Sequence, residues 1–135
     1  MTNPIEGEST VLAGVRVVVI EDEGMTQWQL RRVLTRAGMA HVGSAPDGQR
    51  GVALVTAERP ELVLLDVDMP IMNGLEAARQ IRALYHPCIV LLTAFGASEL
   101  REEMTALGIC GYIVKPVTAE ALIPQLETYL RDYRA

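Results

Sequence analysis

Four short apolar runs constrain this chain more than any other feature: Val17-Val18-Val19-Ile20, Leu62-Val63-Leu64-Leu65, Ile89-Val90-Leu91-Leu92 and the briefer Tyr112-Ile113-Val114. Runs of this length without apolar–polar alternation predict strands buried on both faces, as in a parallel sheet covered by helices. Segments with helical spacing lie between them. Met25, Trp28, Val33, Leu34 and Ala37 form one apolar stripe, stopped by Gly38, and Trp28 is expected in the core. Residues 47–58, 75–84, 98–107 and 118–133 supply four more helices, and a weaker strand is expected over 40–44. The pattern is βα repeated five times. Because parallel strands need right-handed crossovers, the expected architecture is α/β, a doubly wound five-stranded parallel sheet with helices on both faces. Pro124 falls beyond the first turn if Thr118 caps the last helix, which predicts a kink or a delayed start there.

A length of 135 residues leaves room for one domain, expected over 14–135 after a mobile tail at 1–13. Twelve basic and 17 acidic residues give a net charge of −5, which argues against a nucleic-acid groove or an anionic membrane surface as this domain's partner. No apolar stretch approaches the roughly 20 residues that cross a bilayer, and the N-terminus lacks a signal peptide, so the expected location is cytoplasmic. Cys88 and Cys110 would sit near the starts of adjacent strands, where a disulfide is geometrically conceivable; the cytoplasmic context predicts two free thiols instead. His41 and His86 lack a neighbouring ligand pair, so no zinc site is expected.

The polar residues at the end of each apolar run carry the chemistry. The first run ends in Glu21-Asp22-Glu23, the second in Asp66-Val67-Asp68, the third in Thr93 and the fourth in Lys115-Pro116. In an open parallel sheet these positions share one edge, the carboxyl ends of the strands, where such folds bind their ligands. Two like charges 4 Å apart repel by roughly 4 kcal/mol at an effective dielectric of 20, so gathering Glu21, Asp22 and Asp66 calls for a cation or a raised carboxyl pKa. An all-oxygen donor set favours a hard ion, and Mg²⁺ leaves coordination positions open for a phosphoryl group. An aspartate beside such an ion, with a hydroxyl and an ammonium in reach, is arranged to accept that group as an acyl phosphate. Lys115 is the only lysine among twelve basic residues, and a point charge on a flexible stem suits a phosphoryl oxygen.

The stretch from about Arg16 to Tyr129 resembles the receiver domain of two-component response regulators, through the motifs VVVIEDE, LVLLDVDMPIMNG, IVLLTA and GYIVKP. The resemblance implies the flavodoxin-like (βα)5 fold with strand order 2-1-3-4-5. It implies that Asp66 takes a phosphoryl group from a sensor histidine kinase or a histidine phosphotransfer protein. Mg²⁺ would be bound by Asp22, Asp66 and the backbone carbonyl of Asp68, with Glu21 assisting through water. Thr93 and Lys115 would bind phosphoryl oxygens, Tyr112 would be the switch aromatic moving with Thr93, and a cis peptide would join Lys115 to Pro116. An output partner or a second copy would dock on the face formed by the fourth helix, fifth strand and fifth helix. Two positions depart from the common pattern: Asp68 stands where Asn is frequent, and bulky Phe95 stands at the pocket mouth. The segment from Thr93 through Leu126 is closest in appearance to receivers of antitermination-type regulators, and the chain is read as a stand-alone receiver or a piece of a longer regulator.

Two other function classes compete. A haloacid-dehalogenase-like phosphatase also uses Asp-x-Asp, a Thr and a Lys, but places its acidic pair after the lysine and needs room for a substrate cap. A pseudo-receiver would keep the fold without the chemistry, which the intact set of acids, threonine and lysine argues against. Each residue also has an ordinary explanation: acids at a helix start, a turn at Asp66–Asp68, a capping Thr, a surface Lys. Those explanations would have to hold at four strand ends at once.

Overall fold

Every apolar run becomes a strand of one parallel sheet: β1 (Arg16–Ile20), β2 (Ala40–Ala45), β3 (Leu62–Asp66), β4 (Cys88–Thr93) and β5 (Gly111–Val114). Their order is β2-β1-β3-β4-β5, with all neighbours parallel. The computed structural model describes residues 10–69, 72–94 and 97–135. The helices are α1 (Gly24–Arg36), α2 (Gly48–Glu58), α3 (Gly74–Arg82), α4 (Arg101–Leu107) and α5 (Ala119–Arg134).

The sheet divides the core into two layers. Val17, Val19, Leu62, Leu64, Val90 and Leu92 point to one face, where Leu30 and Leu34 of α1 and Leu122, Leu126 and Leu130 of α5 cover them. Val18, Ile20, Val63, Leu65, Ile89 and Leu91 point to the other, against Val55 of α2 and Ala77, Ala78 and Ile81 of α3. Adjacent residues of β1, β3 and β4 are thus both buried, which is why their sequences do not alternate. β2 and β5 are edge strands, and the exposed–buried alternation of β5 shows it.

Helix starts obey local chemistry. Asp47, Asn73 and Thr118 cap α2, α3 and α5, each side-chain oxygen accepting the backbone N–H three residues on. The delayed start expected at Pro124 does not occur: α5 begins at Ala119, and Pro124 lies within it. The segment expected as one fourth helix divides at Leu100, whose backbone (φ −105°, ψ 1°) leaves the helical region, so that a 3₁₀ turn at Ala97–Leu100 precedes α4. Before β1, residues 10–14 form a turn and Leu12 is fully buried in the α1/α5 layer, so packing begins ahead of Val15; residues 1–9 lie outside the described residues.

One expectation about the core is overturned. Trp28 is 52% exposed, and Met25 is exposed as well. At 3.6 residues per turn Trp28 points about 160° away from Leu30, so the buried stripe is Leu30-Leu34-Ala37. The Arg32 guanidinium lies over the indole, 4.8 Å from its centroid.

Candidate functional site

The strand order decides which charges meet. β1 and β3 are neighbours, so the chain leaving Ile20 and the end of Leu65 bring Glu21, Asp22 and Asp66 together. One carboxylate oxygen from each lies within 4.8 Å of the others. Glu21 and Asp66 are buried and Asp22 is exposed. Lys115 succeeds β5, two strands from β3, a gap of about 10 Å that a long side chain can help to span. Its Nζ lies 3.0 Å from Asp66 Oδ2 and 3.1 Å from Glu21 Oε2. The Lys115–Pro116 peptide is cis.

Burial pushes the Glu21 carboxyl up to about 7, against the pull of the Lys115 ammonium. Asp66 is raised in the same way, burial outweighing its hydrogen bonds from Lys115 and from the Asp68 N–H at 3.0 Å. For Lys115 burial works against the ammonium, yet the bonds to Asp66 and Glu21 overcome it and hold the pKa above the usual value. One ammonium therefore serves two buried carboxylates. Glu21 Oε2 is buried and, apart from its 3.1 Å ion pair with Lys115, accepts no hydrogen bond.

That oxygen, 3.1 Å from an ammonium shared with Asp66 and beside two further carboxylates, is what a hard divalent cation would satisfy. The three acids fit such an ion. Thr93 ends β4 next to β3, is buried, and its carbonyl accepts the Lys115 N–H at 2.8 Å. Tyr112 is 36% exposed on β5, and its carbonyl accepts the Tyr129 hydroxyl at 3.0 Å. Asp68 is exposed at the rim, and Phe95 lies outside the described residues.

Two supports escaped sequence reasoning. The Gln27 side-chain amide donates to the Glu21 carbonyl, and to that of Ala45 at 3.4 Å, bracing the acidic loop from α1. Gly74 starts α3 so close to β3 that a Cβ there would meet the Asp66 carbonyl oxygen at 2.3 Å. The sequence signal for Gly74 is the Asn73-Gly74 pair, which reads equally well as a turn; Gln27 carries none.

A doubly wound sheet with paired acids, a hydroxyl and a lysine at its carboxyl edge defines a class of domains that handle phosphoryl groups. The model of the response regulator receiver domain matches residues 17–127, and the chain belongs to that family. It is 38% identical over 119 residues to the transcriptional regulatory protein PdtaR of Mycobacterium tuberculosis, covering 88% of this chain and 58% of that protein. It is 28% identical to the chemotaxis protein CheY of Thermotoga maritima, over 84% of this chain and 95% of that one. The chemotaxis protein CheY4 of Vibrio cholerae superposes with a TM-score of 0.79 at 28% identity, covering 87% of this chain and 99% of that chain. The chain spans little more than half the length of PdtaR. Among the described residues no helix is long and apolar enough to cross a membrane.

Proposed function

We propose that Asp66 is the phosphoacceptor, taking a phosphoryl group from the phosphohistidine of a sensor histidine kinase or a histidine phosphotransfer protein. The observation that carries this is the buried Asp66 carboxylate, with Lys115 Nζ at 3.0 Å and the carboxylates of Glu21 and Asp22 beside it. An Asp66 oxygen forms the new O–P bond as the N–P bond of the phosphohistidine breaks, and the imidazole leaves with the bonding electrons. Asp22, Asp66 and the Asp68 carbonyl would hold Mg²⁺, with Glu21 assisting through water, and the ion would there neutralise charge on the phosphoryl oxygens. Lys115 and the Thr93 hydroxyl each bind one of those oxygens after transfer.

In this reading residues 14–135 act as one cytoplasmic receiver, phosphorylated once and slowly self-hydrolysing, and not as a turnover enzyme. Phosphorylation draws Thr93 toward Asp66 and lets Tyr112, which is now outward, turn in; the α4–β5–α5 face then favours an output partner or a second copy. Asp68, exposed at the rim, adds negative charge beside the phosphoryl group, and the steric role expected of Phe95 lies outside the described residues.

Intact mass after incubation with acetyl phosphate tests the central claim. Wild type with Mg²⁺ gains a single adduct of about 80 Da, and neither the metal-free sample nor Asp66→Asn gains it. A folded, Mg²⁺-supplied chain that gains no adduct from acetyl phosphate or from a phosphorylated kinase is a pseudo-receiver. Repeated consumption of the donor without a persistent adduct points to the phosphatase.

A further inference from the structure

The opposite end of β4 carries a pair of thiols that the phosphoryl chemistry does not use. Cys88 opens β4 and is fully buried; Cys110 immediately precedes β5 and is half-buried. The Cys110 N–H donates to the Ile89 carbonyl at 2.9 Å, which fixes the chain against β4. Pairing is irregular there. Ile109 packs in the α2/α3 layer, whereas both Cys110 and Gly111 lie on the α5 side, Gly111 under the Tyr129 ring. That irregularity turns Cys110 onto the face where Cys88 sits, so that both side chains pack in the α1/α5 layer.

Neighbouring parallel strands about 4.8 Å apart, with a rise of about 3.3 Å, place Cα atoms one register step apart roughly 5.8 Å from each other, inside the range that a disulfide bridges. Access is one-sided. Cys110 lines a crevice of about 280 Å³ together with Met104, Thr105, Tyr112 and Tyr129, and Cys88 is not among its lining residues.

We propose that Cys110 is a peroxide-reactive thiol and Cys88 its resolving partner, so that the chain forms a reversible disulfide between the amino-terminal ends of β4 and β5. The Cys110 thiolate attacks one peroxide oxygen, forming an S–O bond as the O–O bond breaks; the departing hydroxide takes a proton and leaves as water. The Cys88 sulfur then attacks the sulfenic acid. The S–S bond forms, the S–O bond breaks, and the Cys88 proton leaves with the hydroxide as a second water. Two thiols are oxidised and one peroxide is reduced. The neighbouring Cys88 thiol lowers the pKa of Cys110 to about 7, the direction that favours a reactive thiolate, while Cys110 and burial push Cys88 up.

The test is intact mass and thiol titration in denaturant after hydrogen peroxide treatment of the whole chain. Wild type loses about 2 Da and both titratable thiols, and dithiothreitol restores them. Cys88→Ser instead gains about 16 Da, in a form that a sulfenic-acid reagent such as dimedone captures. Cys110→Ser keeps its mass, because the remaining thiol is buried. Two thiols surviving in wild type, a covalent dimer as the only product, or Cys110→Ser oxidising as fast as wild type would each overturn the assignment. Circular dichroism checks the variants; if Cys88→Ser fails to fold, wild type and Cys110→Ser decide the question.

Discussion

The two rims of the sheet treat charge in opposite ways. At the amino-terminal rim Arg82 of α3 donates to the carbonyls of Leu107, Pro87 and Gly108 at 2.6, 2.8 and 2.8 Å. Arg134 grips Glu61 with two bonds of 2.9 and 3.1 Å, and Arg59 lies 4.2 Å over the Tyr85 ring. At the carboxyl-terminal rim one lysine is shared between two buried acids, and the buried Glu21 Oε2 takes no hydrogen bond beyond that ion pair. The first rim is built for holding the loops that enter β4 and β5. The second keeps its charges under-compensated, so that something arriving from outside can complete them.

Removing Arg82 should cause the largest change. Arg82→Ala leaves three carbonyls without their charged donor, and with partial replacement by water the cost is about 3 kcal/mol. Urea titration would show a lower midpoint, while the phosphorylation proposed for Asp66 stays unchanged in the folded fraction. A midpoint within experimental error of wild type would mean that the amino-terminal rim is not the stabilising one.

Asp66→Asn should move stability in the other direction while abolishing phosphorylation. Burial disfavours the ionised Asp66 carboxyl in the fold, and a neutral amide of the same shape removes that penalty and the repulsion toward Glu21. A gain of about 1 kcal/mol raises the thermal midpoint by about 4 °C without added metal. A fall in midpoint would show that the Lys115 bond outweighs the crowding of acids.

This contrast also explains what could be read in the sequence. The interior strands were legible because burial on both faces leaves an unbroken apolar run, and the site was legible because parallel strands all end at one rim. Edge strand β2, mostly half-exposed, gave a weaker signal. Trp28 was misplaced because an apolar residue near a helical stripe looks like part of it until its angle from Leu30 is measured. Gln27, Gly74 and the turn of Cys110 toward α5 depend on how separate elements approach one another, and no local pattern encodes that.

Titrating the crowded rim gives a smaller effect. Glu21 titrates near 7 in the fold against an ordinary value of 4.5, so between those values the folded chain holds a proton that the unfolded chain has lost. Stability from this group is therefore greatest at low pH and falls as pH rises from 4.5 to 7. His41 acts in the opposite sense, because burial lowers its pKa and protonation favours the unfolded chain. The check is the difference between wild type and Glu21→Gln, in EDTA, at about pH 5 and about pH 7.5. Wild type loses more stability than the variant over that interval; equal losses would remove Glu21 from the account.

The smallest effect belongs to Arg16, and it marks how far the comparison extends. Its guanidinium meets the Glu58 carboxylate at 2.9 Å and the Glu58 carbonyl at 2.6 Å, but both side chains are near half exposure, at 46% and 40%. Water replaces most of what such a pair offers, and salt screens the rest. Arg16→Ala should cost under about 0.5 kcal/mol, shrinking further in high salt, although its bonds look as good as those of Arg82. What separates the two arginines is the number of carbonyls each serves and the loops those carbonyls belong to. A loss for Arg16→Ala as large as that for Arg82→Ala would show that the amino-terminal rim acts as one cooperative network, not as a strong clamp beside a weak surface pair.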